Sequence, residues 1–507
     1  MVIHKFKLLT TNSRQISGSS QIFRRLCTSM SEKPPAVPRE LDKHTLYSRL
    51  SSIWSTGEKI PDILDQFSRN NSNKSTKYND DLVFCIKKFR KYRRYQNCLE
   101  ILEWMEKSKM DHSEHGLHLN ILCKVKGIDE AEKFFDSLPP GVKKGFLYGA
   151  LLNCYCSNKM TDKALAIFEK MDEMKYASND VAFSNLMCLY MKVEQPEKVP
   201  PLIEEMKRRN IPLSSISYQT WMQSYACCND LEGVERVMNE AQKHESIKDE
   251  WKLYANFASA YIKAGQNQKA HPSLKKAEEI LDAIYPDRIA YHHLISLYAS
   301  VGDLESVTRA WGKLKSKFKA CNNISYICML HALSKVDNIE QLKICFEEWK
   351  SKYQSYDLRI PSIVIGAYLR HDMLEEAEQL LKDATERSGK KVWNAHVSFM
   401  YYFLRKRLIN SAFRHLEVAM ANQWKPLDGS LDPFIEYFIE EKDVYSAKQF
   451  CQILGKGHPL LSSAYLGLLR TYAAAGKTAP ELRQMLVQDG ANIGTEHKEL
   501  LEKVCPN

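Results

Sequence analysis

The sequence repeats one short pattern about every 35 residues. Each copy has an aromatic residue, apolar residues three and four positions later, and a small or aliphatic residue sixteen positions after the aromatic one. Six consecutive copies place the aromatic residue at Tyr148, Phe183, Tyr218, Tyr254, Tyr291 and Tyr326. A constant period of this length is typical of stacked copies of one structural unit. It favours a single repeat array over the three or four separate domains that 507 residues would otherwise suggest.

Each unit is predicted to contain two helices. Apolar residues recur at i, i+3, i+4 and i+7 in both halves, as from Tyr148 to Tyr155 and from Ala164 to Met171. A helix pair of this kind buries its apolar face only by stacking on its neighbours. The fold is therefore predicted to be all-α, a right-handed α-solenoid of about 11–12 helix-turn-helix repeats. The breaks between the two helices are predicted at Asn158, Asn229, Gly265, Gly302, Asp337, Asp372 and Gly476.

The array is predicted to occupy residues 79–495, with segments of different character on either side. A divergent helix pair and a polar linker are predicted for residues 44–78, and a capping helix for residues 496–507. Residues 1–30 contain five Lys or Arg, many Ser and Thr, and no Asp or Glu. That composition predicts an organelle transit peptide, followed by a Pro-containing linker at residues 31–43.

The repeat resembles the pentatricopeptide repeat. Shared features are the period, the aromatic residue at position four, paired apolar residues at seven and eight, Cys at twelve (Cys123, Cys156) and Ala at twenty. Tetratricopeptide repeats need Gly at position eight, which is Leu152 in the best-matching unit, 145–179. The leader, with Arg25 before Cys27, resembles plant mitochondrial processing sites. The resemblance implies a protein of the mitochondrial matrix, with the chloroplast as the alternative.

The resemblance also implies binding of single-stranded organellar RNA. In this family the fifth residue of a unit and its last residue read one base together. Only the pair Ser184 and Ser214 fits the family's informative combinations in both halves, so base reading departs from the family pattern. For the unit of Gln219 the last residue is Asp249 or Glu250. The candidate base-reading residues are Gly149, Asn179, Ser184, Ser214, Gln219, Asp249, His292 and Asn322.

Position thirteen of the units is more regular than the base-reading positions. Seven of twelve units carry a cation there, namely Lys91, Lys124, Lys192, Lys263, Lys335, Arg370 and Arg405. One charge per unit forms a row along a solenoid, which suits a phosphate chain. The alternative is a solvated helix end, because cations also stabilise helix C-termini. A second basic group, residues 87–94, is interpreted as a phosphate or ribosomal-RNA patch, with a solvated face as the alternative.

Catalytic and metal chemistry is not predicted. A zinc deaminase needs a CxxC pair, and the fourteen cysteines include none. His112, His115 and His118 have no cysteine partner and are interpreted as surface histidines. No apolar stretch is long enough for a transmembrane helix. We therefore expect no enzymatic activity, no cofactor and no membrane partner.

Two hypotheses about function follow. The first is a non-catalytic RNA-binding protein that acts in transcript stability, processing, splicing or translation. The second is a protein-interaction scaffold, associated with the mitochondrial ribosome or with other RNA-processing proteins. The row of cations favours the first hypothesis, and the departure from the base-reading pattern favours the second.

Overall fold

The computed structural model describes residues 46–53, 57–70, 75–106, 110–283, 287–352, 355–389, 393–422, 424–426, 429–455, 462–488 and 495–505. These residues form 27 α-helices and no β-strand, which confirms the all-α prediction. The chain divides into two units, residues 1–273 and 274–507, and the division falls within helix α14. The predicted transit peptide and the Pro-containing linker lie outside the described residues.

The first unit contains the helices α1 to α13 and the start of α14. Their bounds are α1 Leu46–Ser51, α2 Ile60–Asn70, α3 Ser75–Lys91, α4 Tyr95–Glu106, α5 His112–Val125, α6 Ile128–Ser137, α7 Gly145–Ser157, α8 Thr161–Glu173, α9 Asp180–Lys192, α10 Val199–Arg208, α11 Ser215–Cys227, α12 Leu231–Ala241, α13 Trp251–Lys263 and α14 Asn267–Ala283. The predicted linker before the array is short, because α2 continues to Asn70 and α3 already begins at Ser75.

The second unit contains the end of α14 and the helices α15 to α27. Their bounds are α15 Arg288–Ser300, α16 Leu304–Lys317, α17 Asn323–Lys335, α18 Ile339–Lys352, α19 Arg359–Arg370, α20 Leu374–Ser388, α21 Trp393–Arg405, α22 Ile409–Ala421, α23 Asp432–Glu441, α24 Val444–Leu454, α25 Ser462–Ala475, α26 Glu481–Gln488 and α27 Thr495–Val504. In each unit the odd-numbered helices from α3 to α25 are the first helices of the repeats, and the even-numbered helices are the second.

A left-handed residue ends the first helix of almost every repeat. Eleven repeats have φ between 54° and 80° at their fifteenth position, where the chain turns into the second helix. Glycine adopts this conformation without a steric penalty, whereas other residues pay one. In the best-matching unit this left-handed residue is Lys159. The predicted break at Asn158 is confirmed, because α7 ends at Ser157 and Asn158 is its C-cap, with its backbone N–H bonded to the Cys154 carbonyl.

The small or aliphatic residue that marks each second helix in the sequence pattern is buried. Ala164, Val199 and Val234 are fully buried in the first unit, and Val307 and Ala412 are fully buried in the second. The aromatic residues at position four are buried as well, except Tyr254, which is half-buried. The repeated sequence pattern is therefore the pattern of a continuous apolar core within each unit.

Candidate nucleic-acid interface

The seven predicted backbone-binding cations lie where the first helices end. Six of them are the last residue of their helix, and Lys124 is the last but one of α5. The first helices differ in length, from 10 residues in α23 to 17 in α3, but each of the seven cations lies at or next to the C-terminal end of its helix. All seven are exposed except Lys192, which is half-buried.

Neighbouring repeats of the first unit bring these positions into contact. Lys192 Nζ lies 3.5 Å from the carbonyl oxygen of Cys156, near the end of the preceding first helix. Lys263 Nζ lies 4.0 Å from Cys227 Sγ, the thirteenth position of the repeat before it. Lys124 Nζ lies 4.7 Å from the centre of the Tyr95 ring. The thirteenth positions therefore follow one another along this unit.

The second unit has the same arrangement with three consecutive cations. Lys335 Nζ donates to Ser300 Oγ at 2.9 Å, and Arg370 donates to Ser334 Oγ. Arg405 donates to the carbonyl oxygen of Leu369 at 3.0 Å. Each cation thus reaches the end of the preceding first helix, where partly negative carbonyl groups collect.

The partners of these cations are mostly neutral groups. Within the described residues Lys192, Lys335 and Arg370 form no ion pair, and the carboxylate of Asp372 is 3.9 Å from Arg405. Cations of the second helices instead pair with carboxylates one repeat away: Lys163 with Glu132, Lys207 with Glu240, Lys315 with Glu348 and Lys448 with Glu481, at 2.6 to 3.3 Å. Lys192, Lys335 and Arg370 therefore keep their positive charge, whereas the second-helix cations of these pairs are neutralised.

Two of the predicted base-reading pairs are joined through a serine hydroxyl. Gln219 Nε2 donates to Ser215 Oγ at 2.8 Å, and Ser215 Oγ donates to Glu250. The structure therefore joins Gln219 to Glu250, the alternative last residue, while Asp249 is exposed. A polar group of position five and one of the last position thus lie within one hydrogen-bonded chain.

His292 and Asn322 form the second such pair. His292 Nε2 is 2.9 Å from Ser325 Oγ, and Ser325 Oγ donates to Asn322 Oδ1 at 3.0 Å. Asn322 Oδ1 also accepts from the Ser325 backbone N–H and so caps α17. Burial lowers the pKa of His292 to about 4. The imidazole is therefore neutral at physiological pH and contributes no charge to this position.

The remaining candidate readers are not brought together in this way. Ser214 caps α11, with its hydroxyl accepting from the Ser217 backbone N–H at 3.3 Å. Ser184 Oγ is out of contact with solvent and has no hydrogen-bond partner among the described residues. Gly149 faces open space, and Asn179 is the exposed N-cap of α9 without a side-chain capping bond. Even the one pair that fits the family pattern thus has one of its hydroxyls turned inward.

Exposed apolar side chains at position two were missed by the sequence analysis. Phe146, Val181, Ile289 and Ile324 are 48 to 69% exposed, and each is the second residue of a first helix. The Phe146 ring lies 2.8 Å from where a Cβ atom of Gly116 would be, and Gly116 is the fifth position of the preceding repeat. The signal was present in the sequence, because these residues fall outside the apolar register of the core.

The predictions about histidines and membranes have separate outcomes. His118 is 2% exposed and its ring lies 4.5 Å from that of Phe134, so its interpretation as a surface histidine was wrong. The side chain of His112 lies outside the described residues. Among the residues that were searched, no group of three or more His, Cys, Asp or Glu side chains is placed to hold a metal ion. None of the helices described above is long and apolar enough to span a membrane.

Comparison with known proteins identifies the repeat. The family model for the PPR repeat matches residues 146–176 and 361–388. The chain is 38% identical over 470 residues to a mitochondrial pentatricopeptide repeat-containing protein of Arabidopsis thaliana, covering 91% of this chain and 87% of the relative. A second mitochondrial protein of that name and species is 37% identical, covering 96% and 99%.

One further relative and one solved structure also match the chain. A large ribosomal subunit protein of Arabidopsis thaliana is 31% identical over 505 residues, covering 97% of this chain and 99% of that protein. The crystal structure of the maize pentatricopeptide repeat protein PPR10 has a TM-score of 0.38 and 16% identity, covering 85% of this chain and 66% of the maize chain. The extent and level of identity with the Arabidopsis relatives show that the chain belongs to the pentatricopeptide repeat family, as a repeat protein without enzymatic activity.

Proposed function

We propose that this chain binds single-stranded RNA without catalysis in the mitochondrial matrix, and thereby acts on transcript stability, processing, splicing or translation. The observation that carries the proposal is the row of cations at the first-helix ends, whose charge is left largely unneutralised by carboxylates. Cations that recur along a repeat array in this way bind a phosphate chain and release its counterions. A strand held in this way is shielded from nucleases and kept unpaired.

The apolar residues at position two support a place for the bases. Phe146, Val181, Ile289 and Ile324 offer exposed apolar surface on first helices. Two of these helices, those of Val181 and Ile324, end in the row cations Lys192 and Lys335. Apolar and aromatic side chains pack against the faces of all four bases with little sequence preference. Because few fifth positions offer a free polar group, we propose that binding is largely sequence-tolerant.

The salt dependence of binding tests the row. Changing Lys335, Arg370 and Arg405 together to Gln should flatten the slope of log affinity against log salt by about 2, since each contact to a single strand adds about 0.7. At 0.1 M salt the loss in affinity should be about a hundredfold. The readout is fluorescence anisotropy with an unstructured 18-nucleotide RNA.

A matched control changes the same net charge in the same unit. Lys315, Lys343 and Lys350 lie on second helices and pair with Glu348, Glu340 and Glu347. Their triple change to Gln should leave the salt slope within a few tenths of the parent's. Equal loss in both variants would mean that net charge, and not the row, attracts RNA.

The leader and the mitochondrial names of the relatives support the location. Residues 1–27 fused to a fluorescent reporter should direct it to mitochondria. After the outer membrane is ruptured and while the inner membrane is intact, the reporter should remain protected from added protease. A reporter found only in the cytosol or only in plastids would contradict the matrix assignment.

A scaffold within the mitochondrial ribosome is the second candidate function. It is favoured by the relative of the large ribosomal subunit, which matches this chain along nearly its whole length. Sedimentation of the tagged protein distinguishes the candidates. A protein that co-sediments with the large subunit after ribonuclease trimming of free RNA fits the scaffold, whereas one that remains in light fractions with bound transcripts fits the primary proposal.

A further inference from the structure

A second basic surface lies at the front of the array and is denser in charge than the row. The end of α3 and the turn into α4 contain Lys87, Lys88, Arg90, Lys91, Arg93 and Arg94. No Asp or Glu occurs from Leu82 to Leu99. We call these six cations, with the aromatic residues Phe84 and Tyr92, the front patch.

The front patch is exposed and its charge is not neutralised. Lys87, Lys91, Arg93 and Arg94 are exposed, and Lys88 and Arg90 are half-buried. None of the six forms an ion pair within the described part of the chain. The contacts of the patch are with neutral groups: Arg94 donates to the Ser51 carbonyl at 3.3 Å, and Lys88 Nζ lies 5.2 Å from the centre of the Phe84 ring.

Two large side chains lie exposed among these charges. Tyr92 is 61% exposed and Phe84 is 45% exposed. Tyr92 offers a hydroxyl beside the cations, and Phe84 packs edge-on against Tyr47 of α1, with ring centres 6.2 Å apart. The patch is therefore supported by the front helix and presents both donors and flat surfaces to a ligand.

The charge density of the patch exceeds what a single strand would use there. A single strand that binds with one nucleotide per repeat brings one phosphate to the repeat of α3. Lys91 of the row is already available to contact that phosphate. Five cations remain within eight residues. On α3 the rise from Lys87 to Lys91 is only about 6 Å. A double helix brings more phosphates to one protein surface than a single strand does, because A-form RNA exposes a backbone on either side of its wide, shallow minor groove.

We infer that the front patch is a second RNA site that binds a base-paired RNA segment through the phosphates and 2′-hydroxyls of its two strands. Recognition of this kind depends on shape and not on sequence. The site shares only Lys91 with the strand-binding row, and its existence does not depend on the other cations of the row. A protein with both sites would hold a single strand next to a helical stem, as at the base of a hairpin.

The test uses two RNA probes and two variants of the full-length chain. The patch variant changes Lys87, Lys88 and Arg93 to Gln, and the row variant changes Lys335, Arg370 and Arg405 to Gln. The probes are a blunt 16-base-pair RNA duplex and an unstructured 18-nucleotide oligouridine. The patch variant should lose at least tenfold in affinity for the duplex and less than twofold for oligouridine, whereas the row variant should show the opposite pattern.

Several outcomes would overturn the inference. Unchanged duplex affinity in the patch variant would show that the patch does not bind helical RNA. Equal losses for both probes would make the patch an extension of the strand-binding row. The patch variant could also lose binding of polyglutamate while its duplex affinity stays unchanged. That result would assign the surface to an acidic protein partner. If oligouridine fails to bind the parent chain but the duplex binds, the proposed function fails and this inference stands.

A charge-conserving variant separates folding from binding. Lys87→Arg with Lys88→Arg keeps both charges and should bind the duplex within threefold of the parent. Circular dichroism of the Gln variant should match that of the parent, because cations at a helix end that reach solvent contribute little to the stability of the fold. A loss of duplex affinity in the charge-conserving variant as large as in the Gln variant would argue against phosphate binding.

Discussion

The two helices of a repeat differ in the partners of their cations. On the second helices a lysine or arginine meets a carboxylate of a neighbouring repeat, as Lys163 meets Glu132 and Lys315 meets Glu348. At the first-helix ends the cation meets a carbonyl or hydroxyl group, as Lys335 meets Ser300. The number of cations on a helix therefore does not indicate how much of their charge stays unpaired. We expect the unpaired cations, and not the most numerous ones, to bind a polyanion.

The ion pairs of the second helices and the carbonyl contacts of the first-helix ends differ in what they do to the surface charge. Exposed ion pairs contribute about 0–1 kcal/mol each to stability, so the second-helix pairs add little to the fold. They do neutralise that surface, and a polyanion would have to displace a carboxylate to bind there. A cation that bonds a helix-end carbonyl keeps its full charge. A phosphate can therefore approach the row without breaking an ion pair.

One second-helix cluster is buried, and its removal should have the largest effect. Glu278 of α14 is 3% exposed and accepts from Arg309 at 3.1 Å, Lys313 at 2.8 Å and Tyr298 at 2.7 Å. Glu278→Gln should destabilise the second unit by about 2 kcal/mol. Removing one partner of a buried ion pair costs more, but Arg309 and Lys313 retain partial access to water.

The measurement is hydrogen exchange of α14 to α16 in the full-length chain. The control is Glu279→Gln, whose carboxylate is exposed and pairs with Lys276 at 3.6 Å. The control should change the free energy of opening, as obtained from hydrogen exchange, by less than about 0.5 kcal/mol. Neither change should alter the salt slope of RNA binding. A changed slope in the Glu278 variant would mean that neutralised second-helix charges also contact RNA.

The pH dependence of stability should show the same cluster. Burial raises the pKa of Glu278, but hydrogen bonds from Arg309, Lys313 and Tyr298 outweigh it, and the pKa lies below its usual value. A carboxyl group with a lowered folded-state pKa stabilises the fold above the unfolded pKa, about 4.3. That stability is lost as the pH falls through the folded-state pKa.

The parent should lose more stability on acidification than the Glu278→Gln variant does. Between pH 6 and pH 3 the parent should lose the protection of α14 to α16, and the difference in stability between parent and Glu278→Gln should shrink toward zero. Thermal melting followed by circular dichroism across this range provides the measurement. A constant difference down to pH 3 would contradict the ionised state of Glu278.

The sequence predicted the periodic part of the molecule well. The apolar register of a 35-residue unit depends on neighbours in the chain, so Ala164 and Tyr148 were assigned to the core from sequence alone. The break between the two helices was also placed correctly, since Asn158 follows the last residue of α7. The left-handed conformation of the next residue, Lys159, was not predicted, because local preference assigns that conformation to Gly or Asn.

The functional surface was predictable only in part. The row was visible because one position carried a cation in seven of twelve units. The neutral partners of the row were not visible, since each lies 35 or 36 residues away on another helix. The serine bridges were hidden for a similar reason, because Ser215 bonds Glu250 and His292 bonds Ser325 across 35 and 33 residues of sequence. The exposure of Phe146 could have been predicted, since position two falls outside the apolar register of the core.

The smallest expected effects come from changing single cations of the first unit, one at a first-helix end and one on a second helix. Lys192→Gln removes a charge that contacts the Cys156 carbonyl, and Lys163→Gln removes one that pairs with Glu132 at 2.6 Å. Both should change the free energy of unfolding by less than about 0.5 kcal/mol, because both groups reach solvent. They should differ in RNA binding: Lys192→Gln should lose about fivefold at 0.1 M salt, as one phosphate contact predicts. Lys163→Gln should stay within twofold, since its charge is already neutralised and its loss frees a carboxylate outside the row. Anisotropy titrations of both variants at three salt concentrations provide the comparison, and equal effects on affinity would show that pairing does not decide which cations meet RNA.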